Sequence, residues 1–404
     1  MKLNRLALRH PLRKNLGAYF SSKFLKTSFL NAILLSIFIF LNFLENSLFS
    51  TLGLIAFIFG ALRLIFASLK GANFTLIIWS QTGFFVGIFW FYWISFSLVY
   101  YDFSYLIPLE ILFIGLTYAL IFAFFGGLGC YFLAKLQSIF KLEFYKSFKL
   151  CFFAVIFWGT QFIHPFGFNW LNFALPIVNT PFAAIFWEQK LPELPFKIAI
   201  RNTEISQFDL WKKELRPSLI KENLAVIDEA INSGARLVIL PESAFAFTLN
   251  YDKNVLSELL VRSEKIAILV GGEGYENKTA YNSAYFFDKG EFRRIDKHIL
   301  VPFGEEIPLP EFFKKPINSL FFGGASDYGK AADFSYIDID GTKIKVAICY
   351  EGTRYELYED RPEFAVVISN NAWFRNSSQN ILFHLLLKYY SLKNSSTIFH
   401  AQNK

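Results

Sequence analysis

Lys345-Val346-Ala347-Ile348-Cys349-Tyr350-Glu351-Gly352 is the stretch on which the fold turns. Lys345 to Ile348 are mostly apolar and β-branched, which predicts a short buried strand. Cys349 falls where that strand stops, and a Tyr-Glu-Gly turn follows. A side chain at a strand end is held by a rigid sheet yet faces a cleft, so Cys349 is a candidate nucleophile. The other reading is a buried core cysteine, the commoner fate of a lone Cys.

Outward from this stretch the second half reads as α/β. From about Pro195 charges become frequent and short strands alternate with helical runs. Strands are predicted at 196–200, 237–240, 266–270, 343–348 and 364–368, and helices at 217–233, 255–265 and 380–393. In the first helix Ile220, Leu224, Ile227 and Ile231 share one face and Gly234 can end it. The alternation argues for an open sheet covered by helices, with the site at the carboxyl ends of its strands. Glu242 directly follows one strand, as Cys349 follows another.

The first half is different in kind. The chain of 404 residues is 54% hydrophobic with 51 Phe, and its mean hydropathy is +0.35. These values exclude a disordered protein and point to membrane spans. Five apolar runs approach the length needed to cross about 30 Å of hydrocarbon: 28–44, 48–69, 74–101, 106–134 and 148–162. Residues 1–26 hold seven Lys or Arg and no acid. A signal peptide is disfavoured, because no small-residue cleavage site follows and further spans come at once. Lys70 and then Lys135, Lys141, Lys146 and Lys149 fall on alternate connections, while the others carry Glu45 and Asp102. That pattern places the N-terminus in the cytoplasm, and five spans put the second half outside it. Arg63, near one end of its span, is expected to snorkel. The stretch 171–187 is interrupted by Pro176 and Pro181 and reads as an interfacial or re-entrant linker.

Other classes drop out. Cys130 and Cys151 lie in apolar stretches, so a disulfide framework is not expected and Cys349 should be a free thiol. The five histidines are scattered without zinc spacing, and no nucleic-acid motif occurs, so neither a metal, a cofactor nor a nucleic-acid partner is expected. The net charge of +7 comes largely from basic residues flanking apolar runs.

Glu242, Lys297 and Cys349 together supply an acid, an amine and a thiol, which suffice for acyl transfer. The thiol attacks, the carboxylate carries its proton, and the ammonium faces the oxyanion. Taken singly, Glu242 reads as a surface carboxylate or helix cap and Lys297 as part of a solvated basic loop. Spacing alone does not join them.

A resemblance does. The runs Leu240-Pro241-Glu242-Ser243-Ala244, Lys297 to Glu305 (Lys-His-Ile-Leu-Val-Pro-Phe-Gly-Glu), Ile348-Cys349-Tyr350-Glu351 and Ser369-Asn370-Asn371-Ala372-Trp373-Phe374 resemble the signatures of the apolipoprotein N-acyltransferases. That family is the membrane branch of the carbon–nitrogen hydrolase, or nitrilase, superfamily. The likeness spans the second half, and Phe168-Asn169-Trp170 is similar to a Phe-Pro-Trp element of the family.

The resemblance implies an α-helical transmembrane domain followed by a nitrilase-like α-β-β-α sandwich. The expected divisions are 1–26 basic and cytoplasmic, 27–163 transmembrane, 164–195 an interfacial linker, and 196–404 catalytic. It implies Glu242 as general base, Lys297 as oxyanion-stabilising amine and Cys349 as nucleophile. Glu305 matches a supporting glutamate, and Tyr350 and Glu351 match neighbours of the nucleophile. Trp211 matches a tryptophan on a mobile substrate loop, and Tyr281-Asn282-Ser283 a run lining the site. Phe303 and Trp373 fall in the matching runs, although Trp373 and Phe374 also read as core packing and Tyr350 as shaping the turn.

The implied reaction moves an acyl chain from a membrane phospholipid to Cys349, then to the amine of a diacylglyceryl-cysteine on an apolipoprotein. The expected setting is a monomer in the bacterial inner membrane with its catalytic domain on the periplasmic side. The family usually carries two further spans before the catalytic domain. Here Asn371 replaces its usual Asp and Arg375 its Gly, and the chain ends at Lys404 where the family continues. Two alternatives follow: a membrane-anchored amidase using the same triad with water, and an inactive homologue whose sheet lacks an edge.

Overall fold

The computed structural model describes residues 21–188, 190–321 and 327–404. Most of the basic N-terminus expected to face the cytoplasm therefore lies outside the described residues. Two compact units emerge, one of residues up to 99 with 103–165 and 171–183, the other of 100–102, 166–170 and 184–404.

The first unit is helical. α1 (Ser22–Leu41), α2 (Ser47–Ala67), α3 (Ala72–Phe91) and α4 (Ile107–Phe140) are followed by α5 (Lys146–Gly159). Four helical stretches, Ser22–Leu44, Ser47–Lys70, Ala72–Tyr101 and Ser104–Phe140, are long and apolar enough to cross a membrane. The fifth expected span differs: α5 has 14 residues, and a crossing takes about 20. Lipid tails are as apolar as Leu, so close backbone approach holds such helices together. Gly83 and Gly87 of α3 face Tyr118 of α4, where a Cβ on Gly83 would meet the Tyr118 carbonyl oxygen at 2.5 Å. Arg63 has a partner on a neighbouring helix. Its Nε donates to Oδ1 of buried Asn31 on α1 at 2.9 Å. The stretch after residue 170 is no span: it forms short turns, and Phe173 stacks on Phe157 with centroids 4.6 Å apart.

The second unit holds two sheets, where periodicity suggested one. Strands β1 (Ile198–Ile200), β2 (Leu237–Ile239), β3 (Phe245–Thr248), β4 (Ala267–Glu276), β5 (Thr279–Asp288) and β6 (Glu291–Asp296) form the first. Its order is β1-β2-β4-β5-β6, with β3 also on β4. Strands β7 (Ser335–Ile339), β8 (Thr342–Ile348), β9 (Phe364–Asn370) and β10 (Thr397–Asn403) form the second, in the order β10-β9-β8-β7.

Alternate residues of both sheets, among them Leu237, Ile239, Leu269, Ile344, Val346, Ile348, Val366 and Ile368, share one buried core. The opposite face of the first sheet packs Val238, Ile268 and Tyr285 with residues of α6 (Arg216–Asn232) and α7 (Lys253–Ser263). An amphipathic helix, α8 (Glu311–Phe321), precedes β7, and α9 (Gln379–Asn394) packs against β10 and the Cys349 turn. The layers are helix, sheet, sheet, helix. Parallel pairing of β8 with β9 and of β1, β2 and β4 gathers their carboxyl ends on one side.

Candidate active site

Each of the three chemical groups stands just beyond a strand. Glu242 follows β2, and the chain there crosses directly over β4. A Cβ at Gly271 would lie 1.8 Å from the Glu242 carbonyl oxygen, so only glycine allows the crossing. Lys297 follows β6, its backbone N donating to the Asn282 carbonyl at 2.9 Å. Cys349 ends β8 with φ 54°, a left-handed conformation that strains a non-glycine residue by roughly 1–3 kcal/mol.

The carboxylate of Glu351 holds that turn. It accepts the backbone N–H of Ile348 at 2.7 Å, His298 at 2.6 Å and Ile299 at 3.0 Å. One buried side chain thus ties the strand before Cys349 to the loop that carries Lys297.

The side chains converge. The charges of Glu242 and Lys297 both act on the Cys349 thiol. Glu242 Oε2 accepts the Asn370 N–H at 2.7 Å, and Oε1 accepts from Asn282 Nδ2 at 2.7 Å. Lys297 Nζ lies 2.9 Å from Glu305 Oε2 and 3.9 Å from Glu242 Oε1. Glu305 in turn accepts from Asn282 Nδ2 at 2.6 Å and from the Val301 N–H at 2.8 Å. The Asn282 amide therefore bridges the two carboxylates.

Burial and charge set the protonation. Burial raises the Glu242 carboxyl, and Lys297 pulls it back. Burial also raises the Cys349 thiol, and the Glu242 charge adds to the rise. Burial alone would lower the Lys297 ammonium, but Glu305 and then Glu242 outweigh it and hold it above its usual range. Glu351 is pushed up to about 7 by burial, against the opposing pull of Lys297 and its backbone donors. A thiol raised by burial, a carboxyl group and an amine held charged stand together, and such a group can carry out general-base-assisted attack without storing a free thiolate.

The other sequence candidates spread around this cluster. Tyr350 is buried, stacked on Phe168 at 5.9 Å, and its hydroxyl donates to the Gly167 carbonyl at 3.2 Å. The Tyr281 ring rests against Gly329 with the Arg294 guanidinium 5.0 Å over it. Phe303 is partly exposed, edge-on to Phe166 at 5.1 Å. Trp373 meets Tyr100 and Tyr101 at 5.0 and 6.1 Å. Trp211 is 46% exposed and ends a four-residue helix. Cys130, Cys151 and Cys349 are all free. Among the described residues no group of three His, Cys, Asp or Glu converges as metal ligands would.

The profile of an apolipoprotein N-acyltransferase integral membrane domain matches residues 22–192, and that of a carbon-nitrogen hydrolase matches 197–396. The apolipoprotein N-acyltransferase of Wolinella succinogenes is 37% identical over 95% of this chain and 95% of its own. This chain belongs to the apolipoprotein N-acyltransferase family. The Campylobacter jejuni member is 34% identical over 94% of this chain and 88% of its own. A solved Nesterenkonia amidase matches 53% of this chain and 78% of its own at 14% identity and TM-score 0.39, a likeness that decides nothing about the site.

Two residues of this N-acyltransferase chain escape the sequence reading. Asn282 lies in a run that the resemblance marked, yet its role as the bridge between carboxylates was not foreseen. Asn370 supplies the N–H on Glu242, and its side chain is fixed by Gln207 at 2.7 Å and Asn403 at 3.0 Å. Asn403 is itself anchored by the Thr203 hydroxyl and the Ile205 N–H, both at 2.8 Å. The end of β10 thus reaches Glu242 through Asn403 and Asn370.

Proposed function

We propose that Glu242, Lys297 and Cys349 transfer an acyl chain from a membrane phospholipid to the N-terminal amine of a diacylglyceryl apolipoprotein. The Lys297 ammonium 3.9 Å from the Glu242 carboxyl, with the charges of both acting on the buried Cys349 thiol, is the observation that carries this reading. In the first step Glu242 takes the thiol proton as sulfur attacks the ester carbonyl. Lys297 faces the negative oxygen of the tetrahedral intermediate. Collapse expels the lyso-phospholipid alkoxide, which takes the proton from Glu242 and leaves a thioester. In the second step the acceptor amine attacks the thioester and Glu242 takes its proton. The departing sulfur recovers that proton, and an amide remains.

Glu305 keeps Lys297 charged and aimed, and Glu351 holds the nucleophile turn. Both Glu242 oxygens accept hydrogen bonds, Oε1 from Asn282 and Oε2 from the Asn370 N–H, and these donors favour the ionised form. We place the catalytic domain from about residue 196, with 164–195 as its linker.

A periplasmic site needs an odd number of crossings. α5 continues into a three-residue turn to Phe162, giving about 27 Å of length. It buries Phe153 and Phe157 and exposes Val155, Trp158 and Phe162, as a short fifth crossing would.

The test is trapping. Incubation of the full chain with phospholipid in micelles should add one acyl mass to Cys349, sensitive to hydroxylamine and absent from Cys349→Ser. A diacylglyceryl peptide should then discharge it as amide. Absence of the adduct from the wild type would overturn the proposal, and discharge by water alone would point to an amidase.

A further inference from the structure

Asn370 is the last residue of β9, and its backbone N–H donates to Glu242 Oε2 at 2.7 Å. Its side chain is held at both ends. Nδ2 donates to Gln207 Oε1 at 2.7 Å, and Oδ1 accepts from Asn403 Nδ2 at 3.0 Å. Gln207 opens a four-residue helix in the segment that follows β1, and Asn403 ends β10. One asparagine thus joins the far ends of both sheets to the carboxyl group beyond β2.

The links around it run in one direction. Asn403 Oδ1 accepts from the Thr203 hydroxyl and the Ile205 N–H, both at 2.8 Å. Its Nδ2 donates to the Ile205 carbonyl at 2.8 Å as well as to Asn370. Both donors and both acceptor positions of that amide are therefore used. Backbone bonds lock the same junction: the Thr203 N–H donates to the Gln402 carbonyl at 3.0 Å, and the Lys404 N–H to the Thr203 carbonyl at 2.8 Å. Gln207, Asn370 and Asn403 are all buried. Apolar side chains of the same shape would fill such space at little or no cost in stability. They would not fix a direction, whereas a satisfied amide network specifies one arrangement.

We propose that Gln207 and Asn403 are positioning residues that act through Asn370: they clamp its side chain and so hold its N–H on Glu242. A donor aimed at a carboxylate favours the ionised form, which is the form that takes a proton. The same N–H serves the nucleophile. Burial is the chief influence that raises the Cys349 thiol, and the Asn370 N–H opposes it. With the clamp loosened both groups move upward, and both moves slow attack at a given pH. Lys297 at 3.9 Å, Glu305 and Cys349 are the titratable groups that act on Glu242, and loosening the clamp leaves all three in place. A shift of Gln207 is felt at the base two hydrogen bonds away. The inference rests on the proposed roles of Glu242 and Cys349.

The experiment compares the full chain in micelles with Asn370→Ala, Asn403→Ala and Gln207→Met. Asn370→Ala removes both side-chain links and keeps the backbone N–H. Gln207→Met removes one acceptor with little change of volume, so it remains informative should the alanine variants unfold. The first readout is the pH dependence of Cys349 alkylation by iodoacetamide, followed on the Cys349 peptide, which needs no lipid. The second is the pH dependence of single-turnover acylation by phospholipid and of aminolysis of the thioester by a diacylglyceryl peptide. Each variant should move the acid limb up by about one pH unit, a loss of about tenfold on that limb. The rate should recover at alkaline pH. The shift should be the same in acylation and aminolysis, because Glu242 takes a proton in both. The half-saturating concentration of phospholipid should stay at the wild-type value.

An unmoved limb in folded Asn370→Ala and Gln207→Met would overturn the inference, as would an equal loss at every pH. A raised half-saturating concentration with the limb in place would assign Gln207 to substrate binding and overturn it too. A shifted alkylation limb with no acyl adduct in the wild type would instead defeat the proposed function and leave the clamp standing.

Discussion

Asn282→Ala tests the electrostatic design of the site. The Asn282 amide donates to Glu242 at 2.7 Å and to Glu305 at 2.6 Å. Each is a hydrogen bond to a charged group, a class worth about 1.5–3 kcal/mol. The donation to Glu242 favours its ionised form, so its loss should raise that carboxyl by about 1–2 pH units at 1.36 kcal/mol per unit. Glu305, which already raises Glu242, loses the same amide, so the repulsion is less well compensated. The acid limb of Cys349 acylation should therefore move upward, and on that limb the rate should fall about ten- to hundredfold, following the same 1–2 units. At alkaline pH the rate should return towards wild type. The assay is a pH series of single-turnover thioester formation, with thermal unfolding in detergent as the control for folding. An unmoved limb in a folded variant, or a uniform loss at every pH, would refute the bridging role.

Gly271→Ala would place a Cβ 1.8 Å from the Glu242 carbonyl oxygen. The backbone must move by more than an ångström, and a shift of that size costs about a hundredfold in rate, read as acylation beside a measured Tm. Glu351 is raised to about 7, so below that pH the folded protein holds a proton that the unfolded chain releases near the ordinary glutamate range. Its contribution to stability therefore falls as pH rises from that range through about 7. Glu351→Gln should remove this slope in Tm between pH 5 and 8; an equal slope in both proteins would contradict it. In the bundle, Asn31→Leu and Arg63→Leu, singly and together, should show a coupling of about 1 kcal/mol in SDS unfolding, and strictly additive effects would mean that the 2.9 Å contact is idle.

Most strands foreseen from sequence are deeply buried, β1 at the sheet edge being the exception. β2 and most of β9 read as continuous apolar runs because parallel central strands have no solvent side, and β8 does so over its last three residues. β5, β6 and β7 mix Tyr, Asn, Arg and Asp with apolar residues, so a search for apolar runs passes over them. Without them one sheet seems enough, and the second sheet had to come from family resemblance. Yet the chain marks them by turn chemistry. Asn277-Lys278, Lys289-Gly290 and Asp340-Gly341 each have positive φ at both positions, the requirement of a two-residue type I′ hairpin. Asp340-Gly341 is among the strongest short hairpin signals in any sequence. The membrane half was legible for the opposite reason: long apolar runs need no partner to be recognised. What composition leaves undetermined there is whether a run as short as α5 crosses.

The same turns show how far the site itself was readable. Starting from Lys289-Gly290, Asp288 pairs with Glu291, and counting back along both strands sets Ser283 opposite Asp296. The next step puts Asn282 beside Lys297, where the Lys297 N–H meets the Asn282 carbonyl. Side chains alternate along a strand, so Asn282 and Tyr281 project from opposite faces. Turn chemistry and register thus suffice to choose Asn282 over Tyr281 as the residue facing the lysine. The meeting of Glu242 with Cys349 has no such route. It joins two different sheets, and its geometry depends on a crossing over Gly271 and on a core packed between β2, β4, β8 and β9. Local rules place residues within one hairpin; contacts across a sandwich depend on how the two faces fill each other's space, which no short window of sequence records.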